Sequence, residues 1–210
     1  MKKKLLILFG LLSLITIINT ISCTKCGDNT VYKVTDLFFE QTGVQFNSNN
    51  QHPDRLYFYD IRRDTLYYSF YGVFIEPRMQ ARALINPNFS SFGFINAAYA
   101  CDPIPTTTND RIKDIEITAD KNFDDNHPKG SNLAEYFDIV VTYRHTKAFE
   151  IKYDLKKYLD RKPIVPNQMV LILKVKPKRD IKIAFSIKYL QDGALMNAKS
   201  IQFKSVTLTQ

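Results

Sequence analysis

From residue 31 onward the chain never sustains a helical apolar period. Its apolar residues come in short runs at strand spacing, cut at short intervals by turn formers. Residues 31–46 read as a strand, with Tyr32, Val34, Leu37 and Phe39 as core contacts. Residues 55–61 and 65–75 carry a dense aromatic set, Tyr57, Phe58, Tyr59, Tyr67, Tyr68, Phe70, Tyr71 and Phe74, at a spacing that fits strands better than one helical stripe. Residues 78–84 read as a further strand after Pro77, and 94–101 as a run of small apolar residues. Ile112, Ile115 and Ile117 alternate with charged residues over 111–119, and 139–143 is β-branched. Three strands close the chain, at 169–175, 181–190 and 200–208, and Asp192-Gly193 gives the signal of a two-residue hairpin. With 12 Tyr, 15 Phe and no Trp, the composition also favours strands, and most of the rings are expected in the core.

Two short helices are expected within this pattern. Ser131 offers an N-cap for one, with Leu133, Tyr136 and Phe137 on its buried face; the other starts near Asp154, with Leu155, Tyr158 and Leu159 inward. These are too few for an alternating α/β fold. The expected class is therefore mostly β: a β-sandwich, Ig-like or related, with one or two short helices. The body, 31–210, is either one sandwich or two β lobes meeting near the Pro- and Thr-rich stretch at 102–110.

The first 22 residues have a different character. Lys2, Lys3 and Lys4 precede an almost unbroken apolar run at 5–18, which is shorter than the roughly 20 residues that span a bilayer. Thr20-Ile21-Ser22-Cys23 resembles a bacterial lipobox. That resemblance implies acylation of Cys23 with palmitate-type chains, cleavage before it and a lipidated tether at 23–30. A retained anchor helix or an ordinary signal peptide are the alternatives. Cleavage leaves 188 of the 210 residues and removes three lysines, lowering the net charge from +8 to +5. Acids interrupt the basic residues throughout, so nucleic acid is not an expected partner. Cys26 and Cys101 are the expected disulfide, because an exported compartment permits one.

No catalytic motif stands out. His52 and His127 precede prolines in polar loops, and His145 follows a strand; no nucleophile elbow, phosphate loop or His-Glu-x-x-His is present, and no cofactor is expected. Asp120, Asn122 and Asp124 sit at the alternating positions that open a calcium loop. Asp125 stands where glycine is required and Ser131 where the bidentate Glu should be, so an Asx-rich turn is the preferred reading. Asp64-Thr65-Leu66 is similar to the short Bacteroidota O-glycosylation acceptor, which makes Thr65 a candidate; the alternative is a turn before the strand.

The leader, Ala98-Tyr99-Ala100-Cys101, Ile115-Glu116-Ile117-Thr118, His127-Pro128-Lys129-Gly130-Ser131-Asn132-Leu133 and the closing Asp-Gly turn together resemble a family of Bacteroidota lipoproteins known only as a domain of unknown function. The resemblance implies an outer-membrane address and no activity. The expected role is a non-catalytic binding or interaction module, held to the membrane by its lipid and contacting an envelope protein or a glycan. An enzyme or accessory hydrolase subunit is the alternative.

Overall fold

The computed structural model describes residues 31–46, 56–59, 61, 64–82, 108–142, 150–152 and 154–210. Cys23, Cys26, Cys101, His52, His145, the leader and the loops at 47–54 and 86–93 lie outside them. The chain divides into two units. One comprises Met1–Thr30 with Arg82–Pro105; the other, Val31–Ala81 with Thr106–Gln210, holds every described residue except Arg82.

Within this second unit 58% of the described residues are in strands, which settles the class as mostly β. The strands are β1 (Val31–Phe46), β2 (Leu56–Tyr59), β3 (Thr65–Tyr67), β4 (Tyr71–Arg82), β5 (Arg111–Ala119), β6 (Phe137–Thr142), β7 (Glu150–Lys152), β8 (Gln168–Leu173), β9 (Ile181–Ile183), β10 (Phe185–Asp192), β11 (Ala198–Gln202) and β12 (Val206–Thr209). One α-helix, α1, covers Leu155–Leu159. A six-stranded sheet runs β2-β1-β4-β8-β6-β7, and two three-stranded sheets run β11-β10-β5 and β3-β12-β9. The larger sheet takes strands from both sides of residues 102–110.

Alternation explains how the sheets meet. Val34, Leu37, Val73, Ile75, Ile139, Val141, Met169 and Leu171 of the large sheet share one buried cluster with Ile112, Ile115, Ile117, Phe185 and Ile187 of the second sheet, and with Ile183, Val206 and Leu208 of the third. Facing sheet surfaces closing on this core give the sandwich-like arrangement, and Val44, Val140, Val170 and Ile172 of the large sheet form a second, smaller buried cluster. Tyr71 lies at its centre, its ring centroid 4.9 Å from that of Phe185 and 6.4 Å from that of Phe137. Burial raises the Tyr71 hydroxyl above its ordinary range.

Several expectations change in the folded chain. The segment 65–75 is not one strand: a 3-10 turn at Tyr68–Phe70 separates β3 from β4. Pro77 lies inside β4, beyond the Gly72–Ile75 stretch that pairs with β8, so its missing N–H costs no bond there. Ser131 caps no helix; its hydroxyl donates to the Pro128 carbonyl, and the helix is a single 3-10 turn at Ala134–Tyr136 that runs straight into β6 at Phe137. The second helix forms as expected: the Asp154 carboxylate accepts from the Lys157 N–H at 2.9 Å, and Leu155, Tyr158 and Leu159 are buried.

The three closing strands are five, and one of the two added breaks, that between β9 and β10, is held by a single residue. Asp120 Oδ1 accepts from the Ala184 N–H at 2.7 Å, and the Asp120 N–H donates to the Ala184 carbonyl at 3.0 Å. Gripped on both backbone groups, the chain leaves β9, which pairs with β12, and becomes β10, which pairs with β5 and β11. The hairpin after β10 is also longer than two residues: the Gln191 N–H reaches the Asn197 carbonyl at 2.9 Å. Gly193 is required there by crowding rather than by a positive φ. A Cβ would lie 2.5 Å from Gln191 Nε2 and 2.8 Å from the Met196 carbonyl.

A buried carboxylate ties the first strand to the second half of the chain. Asp110, 1% exposed, accepts from Lys33 Nζ and from the Val34 N–H, both at 2.9 Å, while its own N–H donates to Thr108 Oγ1. Nearby on β10 the Tyr189 hydroxyl and both amide atoms of Gln191 are buried without a hydrogen-bond partner among the described residues. No helix among the described residues is long and apolar enough to cross a membrane.

Candidate functional site

Three features of the described surface could carry function. The first is the loop at 120–130. Asn122 Oδ1 accepts from the Lys129 N–H at 2.8 Å, and Asp124 Oδ1 accepts from the Asn126 and His127 N–H groups, both at 2.8 Å. This is an Asx turn, in which a short carboxylate replaces a backbone acceptor. Phe123 is the buried anchor of the loop, and Gly130, at φ 81°, takes the left-handed conformation that returns the chain to β5 through its N–H bond to the Ala119 carbonyl. The three calcium candidates, Asp120, Asn122 and Asp124, thus each hold a different backbone group. Among the described residues no set of three His, Cys, Asp or Glu side chains is placed to hold a metal ion.

The same loop assembles a constellation that linear reading missed. His127 Nδ1 lies 2.9 Å from Asp124 Oδ1, and Nε2 lies 2.9 Å from Glu135 Oε1. The Tyr136 hydroxyl donates to Asp124 Oδ2 at 2.7 Å, and its oxygen is 2.8 Å from His127 Nδ1. Each ring nitrogen faces a carboxylate oxygen, so the imidazolium, with two N–H donors, is the form that satisfies both. The Asp124 hydrogen bond, opposed by partial burial and aided by Glu135, raises the His127 pKa. Burial works against the charge of Asp124, but bonds from Tyr136, His127 and two backbone N–H groups prevail and hold it at about 2. Burial and the adjacent carboxylate push Tyr136 up to about 12. With Nδ1 and Nε2 both engaged, His127 presents no lone pair to a substrate. The arrangement is a clasp that closes the loop onto the 3-10 turn. Only the i,i+3 spacing of Asp124 and His127 was visible beforehand; the approach of Glu135 and Tyr136 depends on the turn that follows.

The second feature is a cleft of about 550 Å³ beside this clasp, lined from β5, the 3-10 turn and α1. Glu135 belongs to both, whereas His127 does not line the cleft.

The third feature is aromatic. Most of the rings at 57–74 were expected in the core, but of the eight only Tyr71 is fully buried. Tyr57, Phe58 and Tyr59 of β2 are 41–47% exposed, and Tyr67 is 58% exposed. Among the described residues β2 ends the six-stranded sheet, and of its side chains Leu56 packs against the small cluster of Val44, Val140, Val170 and Ile172. Phe58 packs edge-on against Phe74 with ring centroids 5.7 Å apart, and the Tyr59 hydroxyl bonds Gln45. Thr65, the glycosylation candidate, is exposed at the start of β3 opposite Thr207. No protein-family model matches this chain, and neither the curated proteins nor the solved structures yield a significant match.

Proposed function

We propose that this protein is a lipid-anchored component of the cell envelope that acts as a non-catalytic binding module, its β2 edge receiving an extended segment of another envelope protein. The observation that carries the reading is the edge itself. β2 is paired on one side only among the described residues, and it displays three consecutive exposed aromatic residues. An edge strand offers a row of backbone donors and acceptors to an added strand, and rings flanking it supply apolar contact area on both faces.

The leader supports the address. Cleavage before Cys23 and acylation of its thiol would place the body on the outer membrane. The tether at 24–30 spans at most about 25 Å. The body would therefore sit close to the bilayer, within reach of a membrane neighbour. A Cys26–Cys101 disulfide would hold that tether to the body. A glycan stacked on Tyr57 and Tyr59 is the competing occupant.

A photo-crosslinking amino acid at Tyr57 in living cells tests the proposal, with the exposed Lys204 position as control. One envelope protein should be captured from position 57, and the capture should be lost when Tyr59 is changed to Asp. Equal labelling from both positions, or no labelling, would overturn the reading. The enzyme alternative draws on the His127 cluster. Turnover of an ester, peptide or glycan by the purified protein, abolished in His127→Gln, would establish it instead.

A further inference from the structure

We infer that the cleft between β5, the 3-10 turn and α1 is a binding site for a small zwitterion, a molecule carrying an ammonium and an acidic group close together, such as a free amino acid or a dipeptide. The cleft, of about 550 Å³, lies within the roughly 300–1,000 Å³ range of small-molecule sites. Its walls are chemically mixed: Lys113, Lys156 and Lys162 line it together with Asp114, Glu135 and Asp160.

The existing partners of these groups decide what remains for a ligand. Glu135 is engaged by His127, and Asp114 Oδ1 accepts from the Ile115 N–H at 2.8 Å. Lys113 reaches Asp192 at 3.6 Å, away from the cleft lining. Lys156, Lys162 and Asp160 make no ion pair or hydrogen bond through their side chains among the described residues, although all three line one cleft. Two unneutralised ammonium groups and one unneutralised carboxylate fit a ligand with an acidic end for the lysines and an ammonium for Asp160. A purely anionic ligand would meet three carboxylates, and a purely cationic one three lysines.

The backbone gives an independent reason to single out Lys162. Its φ is 46°, the left-handed region that a lysine rarely occupies, in the turn that follows α1, three residues past Leu159, whose carbonyl accepts its N–H. Glycine is the residue such a helix end normally takes. A lysine tolerated there against that preference puts an ammonium at the cleft. The proposal is independent of the β2 edge, because it involves different residues and a different class of ligand.

Calorimetric titration of the full mature chain with Ala-Ala tests it, with the N-acetylated, the C-amidated and the doubly capped dipeptide as controls. The dipeptide should bind, each single cap should weaken it about tenfold, and the doubly capped form should not bind. Phosphoethanolamine forms a second arm: tighter binding than the dipeptide assigns the acidic end to phosphate, and weaker binding assigns it to carboxylate. Lys162→Gly guards against a folding artefact, since it should raise the melting temperature by relieving the backbone while lowering affinity about tenfold; Lys156→Gln should lower it similarly. Equal binding of the doubly capped dipeptide, binding unchanged in Lys156→Gln and Lys162→Gly, or no binding of either zwitterion at millimolar concentration would overturn the inference.

Discussion

Asp110 and Asp124 do the same local job under opposite conditions. Each is a carboxylate that accepts from backbone N–H, one group for Asp110 and two for Asp124, and faces one cationic partner, Lys33 or His127. Asp110 is sealed in the interior, next to a strand whose Tyr189 hydroxyl and Gln191 amide lack partners among the described residues. Asp124 is partly exposed, and its two oxygens, the His127 ring and the Tyr136 hydroxyl are all engaged. The lesson concerns desolvation. A buried charge depends on each partner it has, because water cannot replace a lost one; a surface cluster can lose a member and be resolvated.

The sharpest test of this contrast is Lys33→Met. It leaves the Asp110 carboxylate buried without its cation and should destabilise the fold by about 3 kcal/mol, read from denaturant midpoints at constant m-value. A loss near that of an exposed pair would mean that Asp110 is solvated and that the contrast fails. Gly193→Ala comes next. Its methyl must displace Gln191 Nε2 and the Met196 carbonyl, at an expected cost of about 2 kcal/mol. Unaltered stability would show that the hairpin can move aside.

His127→Gln should cost less, about 1 kcal/mol after solvent screening, and the cost should depend on pH. The folded pKa of His127 lies above 6.5, so its contribution is complete below that value and is lost as pH rises through the folded pKa. The folded pKa of Asp124 lies below 3.8, so its contribution is present above that value and is lost as pH falls toward about 2. Wild-type and His127→Gln melting curves should therefore diverge most near pH 5 and converge in mild alkali. A pH-independent gap would mean that the imidazole is neutral in the clasp. The smallest expected effect has the opposite sign. Tyr189→Phe removes a buried hydroxyl that has no partner among the described residues, and should be neutral or stabilising by about 0.5 kcal/mol. A clear loss would reveal a partner for that hydroxyl and narrow the difference between the two sites.

The candidate sites were less legible in the sequence than the fold. Asp124 and His127 could be noticed because they are three residues apart. Glu135 and Tyr136 join them only because a 3-10 turn replaces the expected helix. The cleft residues Lys113, Glu135 and Lys162 belong to separate segments, and nothing in their spacing announces that α1 packs beside β5. The aromatic run at 57–59 reads as core material by composition, since a ring's hydrophobicity is the same at an edge as in the middle of a sheet. Its partial exposure is settled by packing between strands, as where Phe58 of β2 meets Phe74 of β4.

What the sequence determined by itself is what short-range physics controls. Period-2 alternation set Ile115, Ile117 and Ala119 inward, and Asp154 capped α1 through the N–H three residues on. Tertiary structure decided which strands are neighbours and where they break. Asp120 and Ala184, 64 residues apart, divide one apolar run between two sheets, and Asp110 draws the start of β1 onto the start of β5. Local preferences act through bonds a turn long and leave their mark in neighbouring letters. The bonds that part β9 from β10 and pin β1 form only when distant segments meet, so the positions that make them look in sequence like any other aspartate.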